Sequence, residues 1–320
     1  MLLDIVMIIL GFVLLVIGAD FLIKGSSNIA KKFYIPEMLI GLTIVALGTS
    51  APELIITINS ATNGANDLII GNAIGSNLCN LLFILGLMSV IRPVEIDKEA
   101  IKIHIPMSII SAVVILCLSL GIFSTSNVID RRDGIILIIM FALYFSYPIF
   151  IEIKDIKKAY KENLKSYKFK NIKLSLAILF IIIGIILLKY GGDFVVEYAI
   201  NIAKMFDVPE RIIGLTVIAI GTAMPELVTS IVAVIKKDTD LAVGNLVGSC
   251  VLNLFLILGV GAIFTPLNFS QDFNNNLIYL ILSTFVIWCF NFIGKKHVMT
   301  RGKGAILLLL FSFYIVKLFW

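Results

Sequence analysis

Two glutamates hold the residues best placed to do chemistry. Glu53 and Glu226 lie deep in long apolar runs, within the matching strings GTSAPE and GTAMPE. An acidic residue at the centre of a bilayer costs about 2.5–3.5 kcal/mol on insertion scales. Two such residues therefore call for a bound cation, a proton or a basic partner. Each follows a proline, Pro52 or Pro225, which has no N–H and clashes with the carbonyl four residues back. The carbonyls around Gly48 and Gly221 thus lose their helical partners, and such backbone survives at membrane depth only where it is buried or lines a watery cavity. An ordinary proline kink explains the bend but not the acid beside it, twice. Thr49 and Ser50 precede Glu53 by four and three residues and share its helix face, as Thr222 does with Glu226. Ser76 with Asn80, and Ser249 with Asn253, form two further i, i+4 pairs. Gly71, Gly75, Gly244 and Gly248 permit close helix approach and local unwinding, although packing alone also accounts for them. Carboxylate, amide, hydroxyl and freed carbonyl oxygens together suit a hard cation, whereas a transition metal favours imidazole or thiolate. Two negative charges neutralise one Ca²⁺ or two Na⁺.

The elements that position these groups are membrane spans. Of 320 residues, 59% are hydrophobic and 15% charged, and the mean hydropathy is +1.05. Soluble domains carry about 25% charge. Apolar runs predict an all-α polytopic membrane protein with ten transmembrane helices near 2–24, 37–59, 68–91, 103–122, 134–151, 174–199, 210–235, 242–264, 276–294 and 303–320. They leave one longer connection, at 152–173, and no room for a soluble catalytic domain. The N-terminal run contains Asp4 and no basic segment, so it reads as a first span and not as a signal peptide. Twenty Lys and Arg fall on alternate connections against five on the others. The twenty mark the cytoplasmic side of an inner or plasma membrane, with both termini outside. The net charge of +5 therefore reports topology and points to no nucleic acid. The lysine-rich connection reads as a linker close to the bilayer. Lys189 is the one basic residue inside a span. It could pair with a glutamate, and Asp193 is a nearer partner. Cys79, Cys117, Cys250 and Cys289 have no CxxC spacing and read as packing residues.

The chain also repeats itself. Residues 36–54 match 209–227 at an offset of 173, with 12 of 19 identical, and 71–86 match 244–259 with 9 of 16 identical. Gly11, Asp20, Asn28 and Pro36 match Gly184, Asp193, Asn201 and Pro209. Two five-helix repeats, 1–151 and 174–320, are thus joined by the linker 152–173. Their motif segments are 41–54 with 71–80, and 214–227 with 244–253. Five spans are odd in number, so the second repeat enters the membrane from the opposite side, the inverted arrangement of secondary transporters. Such symmetry fits a channel or an intramembrane enzyme as well. Asp20 and Asp193 suggest structural contacts, and His104 and His297, at span ends, suggest surface positions.

At these motifs the sequence resembles the cation/Ca²⁺ exchanger superfamily and its prokaryotic sodium/calcium exchanger-like branch. GLTIVALGTSAPEL with GNAIGSNLCN is similar to the first α-repeat of that family, and GLTVIAIGTAMPEL with GNLVGSCVLN to the second. The resemblance implies ion sites clustered among spans 2, 3, 7 and 8, with spans 1 and 6 sliding in alternating access. It carries cation ligation onto Thr49, Ser50, Glu53, Ser76 and Asn80, and onto Thr222, Glu226, Ser249 and Asn253, helped by the carbonyls of Ala46 and Ala219. Two departures bear on stoichiometry. Ala223 stands where several relatives have serine, and Asn253 where some have aspartate. The expected activity is antiport of Ca²⁺ against Na⁺, with no cofactor and no required protein partner. Antiport against H⁺ through the same glutamates stays open, because buried carboxyl groups can have raised pKa values. A hydrolase would need Arg, His or an activated nucleophile at the site, and no span has Arg at mid-depth. Symmetric coordination of high charge favours occlusion over the rapid conduction of a channel.

Overall fold

The computed structural model describes residues 1–33, 35–122, 127–163, 173–206 and 219–319 and is almost entirely helical. The helices are α1 (Leu2–Phe33), α2 (Glu37–Thr49), α3 (Ala51–Thr62), α4 (Asn66–Ile91), α5 (Ala100–Ser119), α6 (Arg131–Asn163), α7 (Leu174–Met205), α8 (Ala219–Thr222), α9 (Met224–Ile235), α10 (Thr239–Phe264), α11 (Gln271–Phe290) and α12 (Arg301–Phe319). Among the described residues, six helices are long and apolar enough to cross a membrane, or seven if the bent pair α2 and α3 counts as one span. Residues 210–218, expected to open span 7 and to carry the start of the second motif, lie outside the described residues. Helix α6 runs on to Asn163, into the stretch expected as a linker.

The chain forms two compact units, Met1–Thr49 with Ala142–Asn245, and Ser50–Phe141 with Leu246–Trp320. In the first, α1 and α7 lie antiparallel along a seam of small residues. A Cβ added to Gly11 would meet the Gly191 carbonyl at 2.9 Å, one on Gly18 the Gly184 carbonyl at 2.9 Å, and one on Gly25 the Ala177 carbonyl at 2.7 Å. The seven-residue spacing on both helices keeps the small positions facing each other at three successive levels, so the backbones themselves are in contact. Large apolar side chains, among them Leu2, Val6, Ile9, Val13 and Val16, are exposed on α1, as suits a helix bordered by lipid. Toward its other end, Asp20 pairs with Lys24 at 2.6 Å and with Lys236, and Ser27 donates to Asp238 at 3.0 Å. This is the interhelix role expected for Asp20.

The second unit is tied together by contacts that occur twice. A Cβ added to Gly86 would meet the Gly304 carbonyl at 3.1 Å, and one on Gly259 the Gly134 carbonyl at 3.0 Å. Strand β1 (Val94–Glu95) pairs antiparallel with β4 (Val298–Met299), and β2 (Val128–Ile129) with β3 (Leu267–Asn268). Gly86 and Gly259, like Val94 and Leu267, are separated by the sequence offset of 173. Left-handed residues recur in the same manner, Gly64 with Lys237 at φ 69° each and Gly121 with Gly294 at 72° and 68°. The four cysteines form no disulfide. His104, expected at a surface, is buried with 4% exposure. It lies in a π-helical turn, Ala100–His104, on the face of Ala100, Ile101 and Ser108, all of which turn inward.

Because backbone fills the place of a side chain along the α1–α7 seam, Gly18→Val and Gly184→Val should each destabilise the protein by about 1–3 kcal/mol. Gly302→Ala, where an added Cβ meets nothing within 4 Å, should not. Thermal unfolding followed by size-exclusion chromatography in detergent checks this.

Candidate cation-binding site

The first motif folds around a true helix break. Ser50 has φ −85° and ψ 9°, outside the helical region, and α2 and α3 meet there at 45°. Pro52 falls in the first turn of α3, where its missing N–H costs nothing. The second motif repeats the geometry, with Ala223 at φ −84° and ψ 4° and Pro225 in the first turn of α9. Each break starts a new helix, and each glutamate falls in that helix's first turn. There the aligned peptide dipoles favour negative charge. This is how the fold holds Glu53 and Glu226 at 1% exposure each. Lys189 pairs with Asp193 at 2.7 Å, its nearer partner, and its ammonium lies over the Tyr190 ring.

In the second unit the expected donors surround the first break. The Ser50 hydroxyl donates to Ser249 Oγ at 3.0 Å. Oxygens that close can share one cation at the roughly 2.3–2.6 Å of calcium–oxygen bonds. Ser76, Asn80, Ser249 and Asn253 are all at most 2% exposed. The two asparagines belong to π-helical turns, Cys79–Ile84 and Asn253–Ile257, a local widening common at functional sites. Ser76 Oγ, Asn253 Oδ1 and both amide atoms of Asn80 have no hydrogen-bond partner in the structure. Buried polar atoms are rarely left so, because each forgoes about 1–3 kcal/mol. They fit a ligand with positive charge.

In the first unit the Thr49 hydroxyl donates to Asn245 Oδ1 at 3.1 Å and lies 3.3 Å from the Ala46 carbonyl, while Asn245 Nδ2 donates to Ser230 Oγ at 3.2 Å. Thr222 and Glu226 lie on the neighbouring broken helix and are buried. Ala219, at the start of α8, is helical. A Cβ added to Gly244 would meet Gly41 and Met38, the expected close approach, whereas one added to Gly75 would meet nothing within 4 Å. At Ala223 the departure from the family pattern removes a hydroxyl.

Sequence reasoning missed Asn245, Ser230 and Asn77. All are buried, at 0% exposure. Asn245 belongs to the repeated GN dipeptide, the one signal that could have singled it out. Asn77 donates to the Cys250 carbonyl at 2.9 Å and accepts from Asn253 Nδ2 at 3.0 Å. It thereby fixes the Asn253 amide with its oxygen, not its nitrogen, left to meet a cation.

These features define a helical membrane protein that buries carboxylate, hydroxyl and amide oxygens beside broken helices, the construction of a cation carrier. Residues 3–150 and 176–320 match the family described as sodium/calcium exchanger protein, and the chain belongs to it. It is 32% identical to the inner membrane protein YrbG of Escherichia coli, over 100% of this chain and 98% of that one. It is 27% identical to the sodium/calcium exchanger MaX1 of Methanosarcina acetivorans, over 98% and 97%. Among solved structures it is similar to the sodium-calcium exchanger NCX_Mj soaked with zero Na⁺ and Ca²⁺, with a TM-score of 0.83, 28% identity and 99% coverage of both chains. It is similar also to NCX_Mj soaked with Na⁺ and Sr²⁺, with a TM-score of 0.82, 28% identity and 98% coverage of both.

If Asn77 sets the Asn253 amide, Asn77→Leu should lower stability, since it leaves the Cys250 carbonyl and Asn253 Nδ2 unpaired, and weaken Ca²⁺ binding about tenfold, the effect of one hydrogen bond at the upper end of its usual worth. Isothermal titration of the detergent-solubilised protein reads this directly.

Proposed function

We propose that the protein is a secondary antiporter that exchanges Na⁺ for Ca²⁺ by alternating access across a cell membrane, and that it catalyses no chemical reaction. The single observation behind this reading is the burial of Glu53 in the first turn of a new helix, in a unit that also buries amide and hydroxyl atoms without hydrogen-bond partners. Glu53 and Glu226 supply the charge, and Thr49, Ser50, Ser76, Asn80, Thr222, Ser249 and Asn253 supply neutral oxygens with the carbonyls of Ala46 and Ala219. No cofactor takes part. Hydroxyl pairs such as Ser50 with Ser249 favour Na⁺ as the counter-ion, since a proton-coupled site needs only the carboxyl groups. The Na⁺ and Ca²⁺ named for MaX1 and NCX_Mj support the same assignment.

The architecture we infer is ten spans in two inverted repeats, 1–151 and 174–320, joined by 152–173, with that connection cytoplasmic and both termini outside. Support comes from the sequence offset of 173 and from the doubled glycine crossings and strand pairs at about the same offset. The glycine seam between α1 and α7, where backbone meets backbone, lets that pair move together.

Glu53→Gln and Glu226→Gln should each abolish Ca²⁺ transport in vesicles while the protein still folds. Full activity in either variant removes that residue from the site. In proteoliposomes, uptake of radiolabelled Ca²⁺ should follow an outward Na⁺ gradient and fail with K⁺ inside. Uptake driven by a pH gradient alone would transfer the coupling to protonation of the same glutamates.

A further inference from the structure

We propose that the second unit carries a binding site for the headgroup of an anionic phospholipid, apart from the cation site. A cavity of about 470 Å³ is lined by Lys98, Ile101, Lys102, Trp288, Phe292 and His297. The two ammonium groups are one helical turn apart and exposed, and long lysine stems can rest on apolar surface while their charged heads reach a phosphate. Trp288 forms the wall, its indole N–H donating to the Ile101 carbonyl at 3.0 Å and its ring 5.1 Å from that of Phe292. Tryptophan in such a place is characteristic of the membrane–water boundary.

The third polar group is His297. Its backbone is pinned at both ends, the N–H donating to the Asn291 carbonyl at 3.0 Å and the carbonyl accepting from Ile96 at 2.9 Å. Its φ is 58°, a conformation uncommon outside glycine. The buried ring Nδ1 has no hydrogen-bond partner. Asp97 and Glu99 flank Lys98 in sequence, and the Asp97 carboxylate is engaged by the Glu99 backbone N–H at 2.6 Å.

Two observations choose a lipid over a soluble anion. From the cavity an exposed apolar track, Ile278, Leu282 and Phe285, runs along α11 at helical spacing, where acyl chains would lie. The repeat counterparts of Lys98, Lys102, Trp288 and Phe292, at the offset of 173, are Gln271, Asn275, Ile115 and Ser119. The fold therefore does not require charge or tryptophan here. Their presence on one side only, the side bearing the lysine-rich connections, matches the anionic cytoplasmic leaflet.

The test uses the full-length protein in neutral detergent, with its unfolding midpoint followed during titration with phosphatidylglycerol, phosphatidylcholine or sodium phosphate. Phosphatidylglycerol should raise the midpoint saturably and the other two should not. The double variant Lys98→Gln, Lys102→Gln should need roughly 30-fold more phosphatidylglycerol for the same shift, from the worth of two lysines near an anionic surface. Lys98→Arg with Lys102→Arg should retain the response, as should Lys157→Gln with Lys158→Gln in the lysine-rich connection. An undiminished response in the Gln double variant overturns the proposal. So does an equal shift with sodium phosphate, which would mean a soluble-anion site, or with phosphatidylcholine, which would mean a site indifferent to charge.

Discussion

Holding a carboxylate at 1% exposure inside a protein bordered by hydrocarbon requires polar groups whose placement does not depend on bulk water. The chain meets this requirement by breaking two helices. At Ser50 and Ala223 the backbone leaves the helical region, and a proline two residues later stands in the first turn of a new helix, the turn that also contains the glutamate. The break does three things together. It aims peptide dipoles at the acid, it frees carbonyls of the preceding helix, and it sets hydroxyls such as Ser50 beside both. Glu53 three residues further along an unbroken helix would have none of these.

The cost of the break is structural, because the half-helices α3 and α9, of 12 residues each, are too short to be stable alone. Packing around them must compensate. The first unit does so with the α1–α7 seam, where backbone meets backbone through small residues and dispersion replaces the absent hydrophobic drive. The second unit relies on paired glycine crossings and on an amide network centred on Asn77. A buried amide network is stable only when its members are satisfied. Asn77, with both amide groups in use, is the satisfied centre from which the Asn253 oxygen projects.

Much of the site was legible in the sequence because its signals are local. A proline beside an acid, hydroxyls one turn away and i, i+4 pairs of Ser and Asn are all read within a few residues. The oxygen-only chemistry followed from them, as did the pairing of Lys189 with Asp193 four residues on. What escaped depends on partners far along the chain. Asn77 and Asn245 look like ordinary helix residues until the Cys250 carbonyl and Thr49 are known to sit against them. The seven-residue spacing of Gly11, Gly18 and Gly25 was present in the sequence, yet small residues at one spacing do not reveal which helix they meet. His104 was misplaced because a π-helical turn lies ahead of α5's regular part, and a change of helical register has no compositional mark.

The two repeated motifs are not equivalent in the oxygens they carry. Asn253 in place of an acid keeps the carboxylates of the motif at two, Glu53 and Glu226, enough to neutralise one divalent or two monovalent cations. Burying Ser76 Oγ, both amide atoms of Asn80 and Asn253 Oδ1 without hydrogen-bond partners destabilises the fold unless something binds them. Neutral oxygens become favourable when the ligand is a metal ion that needs about 6–8 of them.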